Sequence, residues 1–429
     1  MILRLAFMAE ALLLTGCSQL VTLAGPAPRR GRALSEIEVI PDGALLVRDG
    51  RVAAAGPRAR VEKLAAARRA RKLDLGGRVV TPGLVDAHTH LIFAASRAAE
   101  YEQRIAGASY EQIAKAGGGI LSSVRALRAA SDDDLLRVAR SNLARMAAHG
   151  TTTIEAKTGY GLDFENELRT LRLLKTLAGR QPVEIVPTLL AAHVVPPEFR
   201  GRADGADDYV DRIVRLLLPA VALERLAEFC DVFVERGAFS VPQARRIFAA
   251  ARAVDLLPRL HAEQLRRTGG AQLAIEVEAA SVDHLDFASA ADIRALARSG
   301  VACILLPGCS FHLGLTRYAP ARKFIDAGAI VALATDFNPG SSPTLSLPMA
   351  MSLACTQMHM TPAEALAACT INAAYSLCRH ARIGSLEPGK DADLTVFDVS
   401  DYREIPYYFG VNRCVQTIKR GRVVQQATA

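Results

Sequence analysis

The 429-residue chain contains no tryptophan, and aromatic residues make up only 5% of it. Its eight cysteines include no Cys-x-x-Cys pair, no apolar run approaches membrane-spanning length, and there is neither a repeat of fixed period nor a low-complexity linker. Each absence narrows the reading. Without paired cysteine spacing, a disulfide framework or a cysteine zinc site is not expected, and reduced thiols in a cytoplasmic enzyme are. Without a long apolar run, no membrane partner is expected. The formal charge of +8 would suit nucleic acid, but the arginines are scattered through helix-like stretches and the few aromatics do not interleave a basic tail. No nucleic-acid partner is therefore expected, and the basic surface reads as solvated, with a positive mouth that would draw a small anionic substrate.

What is present is a series of strand-length apolar runs, most of them ending on a polar or ionisable residue. The first, 79–85, leads into Asp86-Ala87-His88-Thr89-His90. Later runs cover 151–157, 183–190 reaching His193, 230–235 ending on Glu235, Leu260-His261, 280–284 ending on Asp283-His284, 301–307, and 330–336 ending on Asp336. Stretches with helical spacing lie between them, at 132–149, 165–177, 242–254 and 290–298. Eight strands alternating with helices predict an α/β fold, a (β/α)8 TIM-type barrel, whose functional groups collect at the C-terminal strand ends.

Side chains at i and i+2 of an extended segment face the same side, so His88 and His90 can meet one ion. His261 on the fifth strand, His284 on the sixth and Asp336 on the eighth would face the same mouth. Imidazole nitrogen with carboxylate oxygen suits zinc or iron, and a metal that activates water makes hydrolysis the natural reaction class.

The length exceeds a minimal barrel, and the surplus lies at the two ends. The turn Val47-Arg48-Asp49-Gly50-Arg51-Val52 predicts a hairpin, and 389–397 and 417–424 read as further strands.

The chain resembles the amidohydrolase superfamily and, within it, the imidazolonepropionases of histidine degradation. The residues that carry the resemblance are His88-Thr89-His90-Leu91-Ile92-Phe93 with Ser96-Arg97, Gly117-Gly118-Gly119-Ile120, Lys157-Thr158-Gly159-Tyr160-Gly161-Leu162, His261-Ala262-Glu263-Gln264, Asp283-His284-Leu285 and Ala334-Thr335-Asp336-Phe337-Asn338-Pro339-Gly340-Ser341. Ala95, Thr158 and Ala192 depart from the family's usual Gly, Ser and Gly, which touches loop geometry and no ligand.

The resemblance implies one divalent or trivalent metal ion per subunit, zinc or iron, held by His88, His90, His261 and Asp336. It implies Arg97 as the residue that holds a propionate, Tyr160, His193 and Gln264 as further substrate contacts, and Asn338, Gly340 and Ser341 as the loop that reads the ring and product. Asp336, His284 and Glu263 are the expected catalytic groups, for forming hydroxide, meeting the oxyanion and shuttling a proton to the departing nitrogen. Glu235 on the fourth strand is no bridging lysine, so a one-metal site follows, and Lys157 is expected in a salt bridge. Asp86 and Glu155 are read as groups behind the ligands, and His149, His312, His359 and His380 as surface or satisfied core residues. The family's chain ends pair into a composite β-sandwich, giving 1–80 and 384–429 as its two parts and 81–383 as the barrel. A homodimer is the expected assembly.

Two rivals are weighed beside this reading. Another amidohydrolase activity, a cyclic amidase or a deaminase acting on a small heterocycle, would use the same metal set, and for a neutral ring would not need Arg97. A non-catalytic scaffold would be expected to have lost a ligand, and all four are present. At the N-terminus, Leu14-Thr15-Gly16-Cys17 looks like a lipoprotein cleavage box after a short apolar run. Glu10 interrupts that run and 11–23 reads as the first strand of the composite domain, so export is not expected; an early start codon is the alternative source of residues 1–10.

Overall fold

The computed structural model describes residues 11–108, 112 and 117–426. Residues 1–10, to which the early-start reading applies, lie outside them. Two sheets organise the chain. Seven strands form a mixed sheet: β1 (Leu12–Val21), β2 (Val39–Arg48), β3 (Arg51–Pro57) and β4 (Arg71–Pro82) come from the N-terminal part, and β13 (Leu394–Phe397), β14 (Cys414–Lys419) and β15 (Arg422–Gln426) from the C-terminal part. The other sheet holds β5 (Leu84–Asp86), β6 (Thr151–Lys157), β7 (Glu184–Ala192), β8 (Phe229–Val234), β9 (Leu257–Ala262), β10 (Ser281–His284), β11 (Ala302–Leu305) and β12 (Ile330–Leu333), all paired in parallel and in sequence order.

The eight barrel strands match the eight apolar runs, with one correction. The run 79–85 is not one strand. Its first half ends β4 in the mixed sheet and its second half is β5, with Gly83 between them. A Cβ on Gly83 would stand 2.3 Å from Thr152 Oγ1, so only glycine allows β5 to lie this close to β6. Periodicity could not reveal the break, because both halves are wholly buried and read as one apolar block.

Strands of a parallel sheet are covered on both faces, and β11 and β12 are accordingly buried at every position. The helices between begin where capping residues place them. Ser131 accepts from Asp134 N at the start of Asp132–Ala148, while Ser240 with Gln243 and Ser289 with Asp292 form capping boxes. The first and last strands approach through the segments beyond them: His90 N donates to Phe337 O at 2.8 Å, Thr89 bridges Phe337, and Asp86 accepts from Thr335 N and Oγ1 at 3.0 and 2.6 Å. That closure brings the His88 segment beside Asp336.

In the mixed sheet the order is β15-β14-β13-β4-β1-β2-β3, so strands from the two chain ends meet where β13 pairs with β4. Cys17, the last residue of the cleavage-box resemblance, is buried in β1 with β2 and β4 on either side, and burial pushes its thiol up to about 12. The predicted hairpin is β2–β3, turned through Asp49 and Gly50, both at positive φ as a type I′ turn requires. No helix among the described residues is long and apolar enough to cross a membrane.

Glu184, at the start of β7, joins the sheets. It meets Arg379 Nε at 3.2 Å and Lys419 Nζ at 3.3 Å, and Arg382 besides. Although burial opposes the charged form, these three cations hold its carboxyl down to about 2. A depressed carboxylate stabilises the fold above its unfolded value and ceases to as pH falls towards the folded one. Replacing Glu184 by Gln is therefore expected to cost roughly 2–3 kcal/mol at neutral pH and progressively less as pH drops from about 5 towards 2. Urea denaturation of both proteins across that range checks it; an equal cost at both ends would refute it.

Candidate metal centre

Five residues meet at the C-terminal ends of the barrel strands, all nearly solvent-free: His88 is 0% exposed, His90 3%, and His261, His284 and Asp336 2% each. His88 and His90 follow β5, His261 lies in β9, His284 ends β10 and Asp336 follows β12. Nε2 of His88 and of His90 lie 3.4 and 3.6 Å from Asp336 Oδ1. The ring of His88 is 4.5 Å from that of His261 and 5.7 Å from that of His284, centroid to centroid.

Three buried ring nitrogens in this cluster, His88 Nε2, His90 Nδ1 and His261 Nε2, have no hydrogen-bond partner. Leaving one such atom unsatisfied costs about 1–3 kcal/mol, so three together point to a partner that is not protein. The opposite nitrogens of two of these rings are held: His88 Nδ1 lies 2.7 Å from Asp283 Oδ2 and His261 Nδ1 lies 3.0 Å from Asp231 Oδ1. A carboxylate behind an imidazole fixes its tautomer and aims the other nitrogen at an ion. Burial, with Lys157 and the neighbouring imidazoles, pushes His88 and His90 well below the usual histidine range, and burial with His261 does the same to His284. Neutral imidazoles are the form that binds metal. Three imidazoles with one carboxylate make a donor set that fits zinc or iron.

Below the cluster lies a fully buried charge network. Lys157 Nζ is 2.7 Å from Asp231, 2.9 Å from Glu155 and 3.6 Å from Asp283. Burial works against its charge, but Asp231 and Glu155 outweigh that and raise its pKa. Lys157 is thus committed to salt bridges, as expected. Arg259 adds a second cation, 3.9 Å from Glu155 and 3.8 Å from Asp283, and donates to Ala87 O at 2.8 Å, directly behind His88. Asp86 clamps Thr335, the residue before Asp336; burial pushes Asp86 up to about 7.

Around the mouth, the expected contacts fall into two groups. Tyr160 and His193 crowd His90, with ring centroids at 5.7 and 5.3 Å. His193 Nδ1 lies 3.0 Å from Gly159 O, and burial with His261 pushes its pKa down to about 3. Arg97 is gripped by Glu100, Nε at 2.9 Å and Nη2 at 2.6 Å, and its Nη1 passes so close to Gly340 that a Cβ there would stand 2.1 Å away. Gly340 thus leaves room for the guanidinium where it stands. The Asn338 side chain is spent within its own turn: Oδ1 accepts from Gly340 N and Ser341 N, both at 2.8 Å, while Nδ2 donates to Asp336 O at 2.6 Å and Ser341 Oγ at 2.9 Å. It shapes the loop that links Arg97 to Asp336.

Glu263 is held by backbone groups. Its carboxylate accepts from Thr268 N, Gly269 N and Ala271 N at 2.7, 3.1 and 3.2 Å, at the start of the helix Gly270–Glu276. Both oxygens are engaged with backbone, which fixes the loop after His261. Glu235 similarly accepts from Leu265 N at 2.9 Å and Arg266 N at 3.2 Å. Of the four histidines read as surface or satisfied core, none joins the cluster; His312 stacks on Tyr101 at 4.8 Å, whereas Nδ1 of His149 and of His380 is buried without a partner.

Sequence reasoning missed Cys309, on the short helix Pro307–His312 after β11. Its Sγ accepts from Gln264 Nε2 at 3.5 Å and belongs to a buried group with His284 and Asp336. It also missed Asp231 and Arg259, whose signal was available as charged residues inside apolar strand runs. His284, Glu263 and Asp336 all have positive φ, at 77°, 56° and 52°, a form few non-glycine residues take.

The family model described as "Amidohydrolase family" matches residues 79–424. Among curated relatives, a protein of Solibacter usitatus named imidazolonepropionase is 50% identical over 97% of this chain and 99% of its own length. One of the same name from Geobacillus kaustophilus is 48% identical over 95% of this chain and 96% of its own. Among solved structures, an adenosine deaminase from Xanthomonas campestris with bound zinc superposes with a TM-score of 0.70 at 19% identity, over 96% of this chain and 92% of that one.

Proposed function

The chain belongs to the amidohydrolase family, and we propose that it is an imidazolonepropionase, hydrolysing the ring amide C–N bond of 4-imidazolone-5-propanoate to N-formimidoyl-L-glutamate in L-histidine degradation. The observation that carries this is an arginine at the mouth beside a cluster of buried imidazoles with unpartnered nitrogens, in a chain 50% identical to a relative of that name.

His88, His90, His261 and Asp336 would hold one zinc or iron ion, which when bound supplies Lewis-acid polarisation and an activated water. The protein's own groups do the rest. Arg97, positioned by Glu100, offers Nη1 to the propionate, and Gly340 leaves room for it. Tyr160, His193, Gln264 and Ser341 line the ring's place. Asp336 takes a proton from the attacking water, and His284 faces the oxyanion as the carbonyl carbon becomes tetrahedral. The proton then passes to the ring nitrogen as the C–N bond breaks. Glu263 acts as a positioning residue, holding the turn that carries His261 and Gln264. The same reading makes the protein a cytoplasmic homodimer acting on a small anionic heterocycle, with neither nucleic acid nor membrane as partner.

The test is hydrolysis of freshly made imidazolonepropionate, followed by loss of ring ultraviolet absorbance and product mass, before and after chelation. Metal-dependent formation of N-formimidoyl-L-glutamate is expected; no turnover by folded, metal-loaded protein would overturn the assignment. Replacing Arg97 by Gln is expected to lower kcat/KM roughly 10²–10³-fold, mainly through KM, because a desolvated carboxylate loses its charged partner. A deaminase of a neutral ring would be indifferent to that change.

A further inference from the structure

Among the described residues, three overlapping groups of side chains are close enough to hold a metal, and only one contains a cysteine. In that group, ligand atoms of His284, Cys309 and Asp336 lie within 4.8 Å of one another, and all three residues are buried. Cys309 is grouped with none of His88, His90 and His261, and its group meets the others through His284 and Asp336.

Two further observations point to a ligand there. The nitrogens of His284 have no hydrogen-bond partner among the described residues, although the residue is 2% exposed and makes only ring contacts, with His88 and His261. The Cys309 sulfur lies within 4.8 Å of a carboxylate oxygen of Asp336, and Gln264 Nε2 donates to the sulfur at 3.5 Å. A thiolate, an imidazole and a carboxylate are the donors that zinc and softer ions such as cadmium prefer in tetrahedral sites, with a fourth position open to water.

We propose that His284, Cys309 and Asp336 form a second, thiophilic metal site beside the first, and that zinc or cadmium bound there blocks the enzyme. Binding displaces the thiol proton to solvent, and the sulfur, imidazole and carboxylate each donate a lone pair, with no change in oxidation state. An ion so placed takes His284 away from the oxyanion and shares Asp336, so activity is expected to rise with the first equivalent of zinc and fall with excess. The site does not depend on which ring the enzyme opens.

Cadmium titration of the metal-free protein tests it. The wild type is expected to take up two ions per chain, one of them accompanied by thiolate-to-metal charge-transfer absorption in the ultraviolet. Cys309→Ser is expected to take up one ion without that absorption, and its inhibition by excess zinc to weaken by at least ~100-fold, beyond the loss seen when a group behind a ligand is removed. His284→Gln, which keeps the thiol, is likewise expected to bind one ion. The proposal is overturned if the wild type binds a single ion, if no such absorption appears, or if Cys309→Ser keeps the second ion at wild-type affinity. Failure of the ring-opening assay leaves these readings unaffected.

Discussion

Asp336→Asn is expected to fold normally and to lose about 10⁴-fold or more in kcat, with a parallel loss of bound metal. The substitution changes one atom in a residue that is 2% exposed, so packing is preserved. Its backbone sits at φ 52°, a left-handed conformation that asparagine tolerates at least as well as aspartate. What disappears is chemistry. The amide is a poor metal ligand and cannot accept the water's proton, and general-base loss alone accounts for about 10²–10⁴-fold. Burial holds the Asp336 carboxyl up at about 7, and His261, Asn338 and Cys309 oppose that rise. Steady-state rates, elemental analysis and a melting curve check the prediction together. A kcat within tenfold of wild type would remove Asp336 from the reaction, whereas a collapsed melting temperature would show that its role is structural.

Lys157→Met is expected to produce the largest loss of stability, about 3–5 kcal/mol, the cost of breaking a buried ion pair from one side. Lys157, Glu155, Asp231 and Asp283 are all fully buried, and Lys157 is the cation closest to all three carboxylates. Arg259 remains, but at 3.8–3.9 Å from two of them and with its other contacts to Ala87 O and Ser376 O. Methionine fills the volume without the charge, so the loss reports electrostatics and not a cavity. Because Asp231 and Asp283 aim His261 and His88, metal affinity is expected to fall as well. Urea denaturation of the metal-free proteins isolates the first effect; a difference below about 1 kcal/mol would mean the carboxylates are neutral or hydrated in the folded state.

The barrel and the five clustered residues were legible because they obey local rules. His88 and His90 share a side of one extended segment, and His261, His284 and Asp336 each stand at the end of an apolar run, a spacing that barrel topology turns into proximity. What was not legible depends on contacts between distant segments. Nothing in the block 79–85 tells that Pro82 belongs to one sheet and Leu84 to another; the sign is Gly83, whose necessity appears only against Thr152. Glu263 looked catalytic by its nearness to His261, and only the fold shows three backbone N–H groups taking up its oxygens. Cys309 was invisible for the opposite reason: a thiol after the seventh strand has no partner in sequence, and its neighbours arrive from the sixth and eighth.

The junction at Gly83 also bears on how the protein is made. The strand that delivers His88 and His90 is moored at its base by residues near the other end of the chain, with Gly83 N donating to Asp393 O at 2.9 Å and β13 completing the edge of β4. About 300 residues separate the two sides of that mooring, which at ordinary elongation rates is a wait of roughly 15–60 s. During it, β4 has β1 on one side and a bare edge on the other, the kind of surface that recruits stray strands. A ribosome that stalls before β13 would have made every proposed ligand while the strand before two of them still lacked its neighbour, so the nascent chain carries an open edge until its last strands emerge.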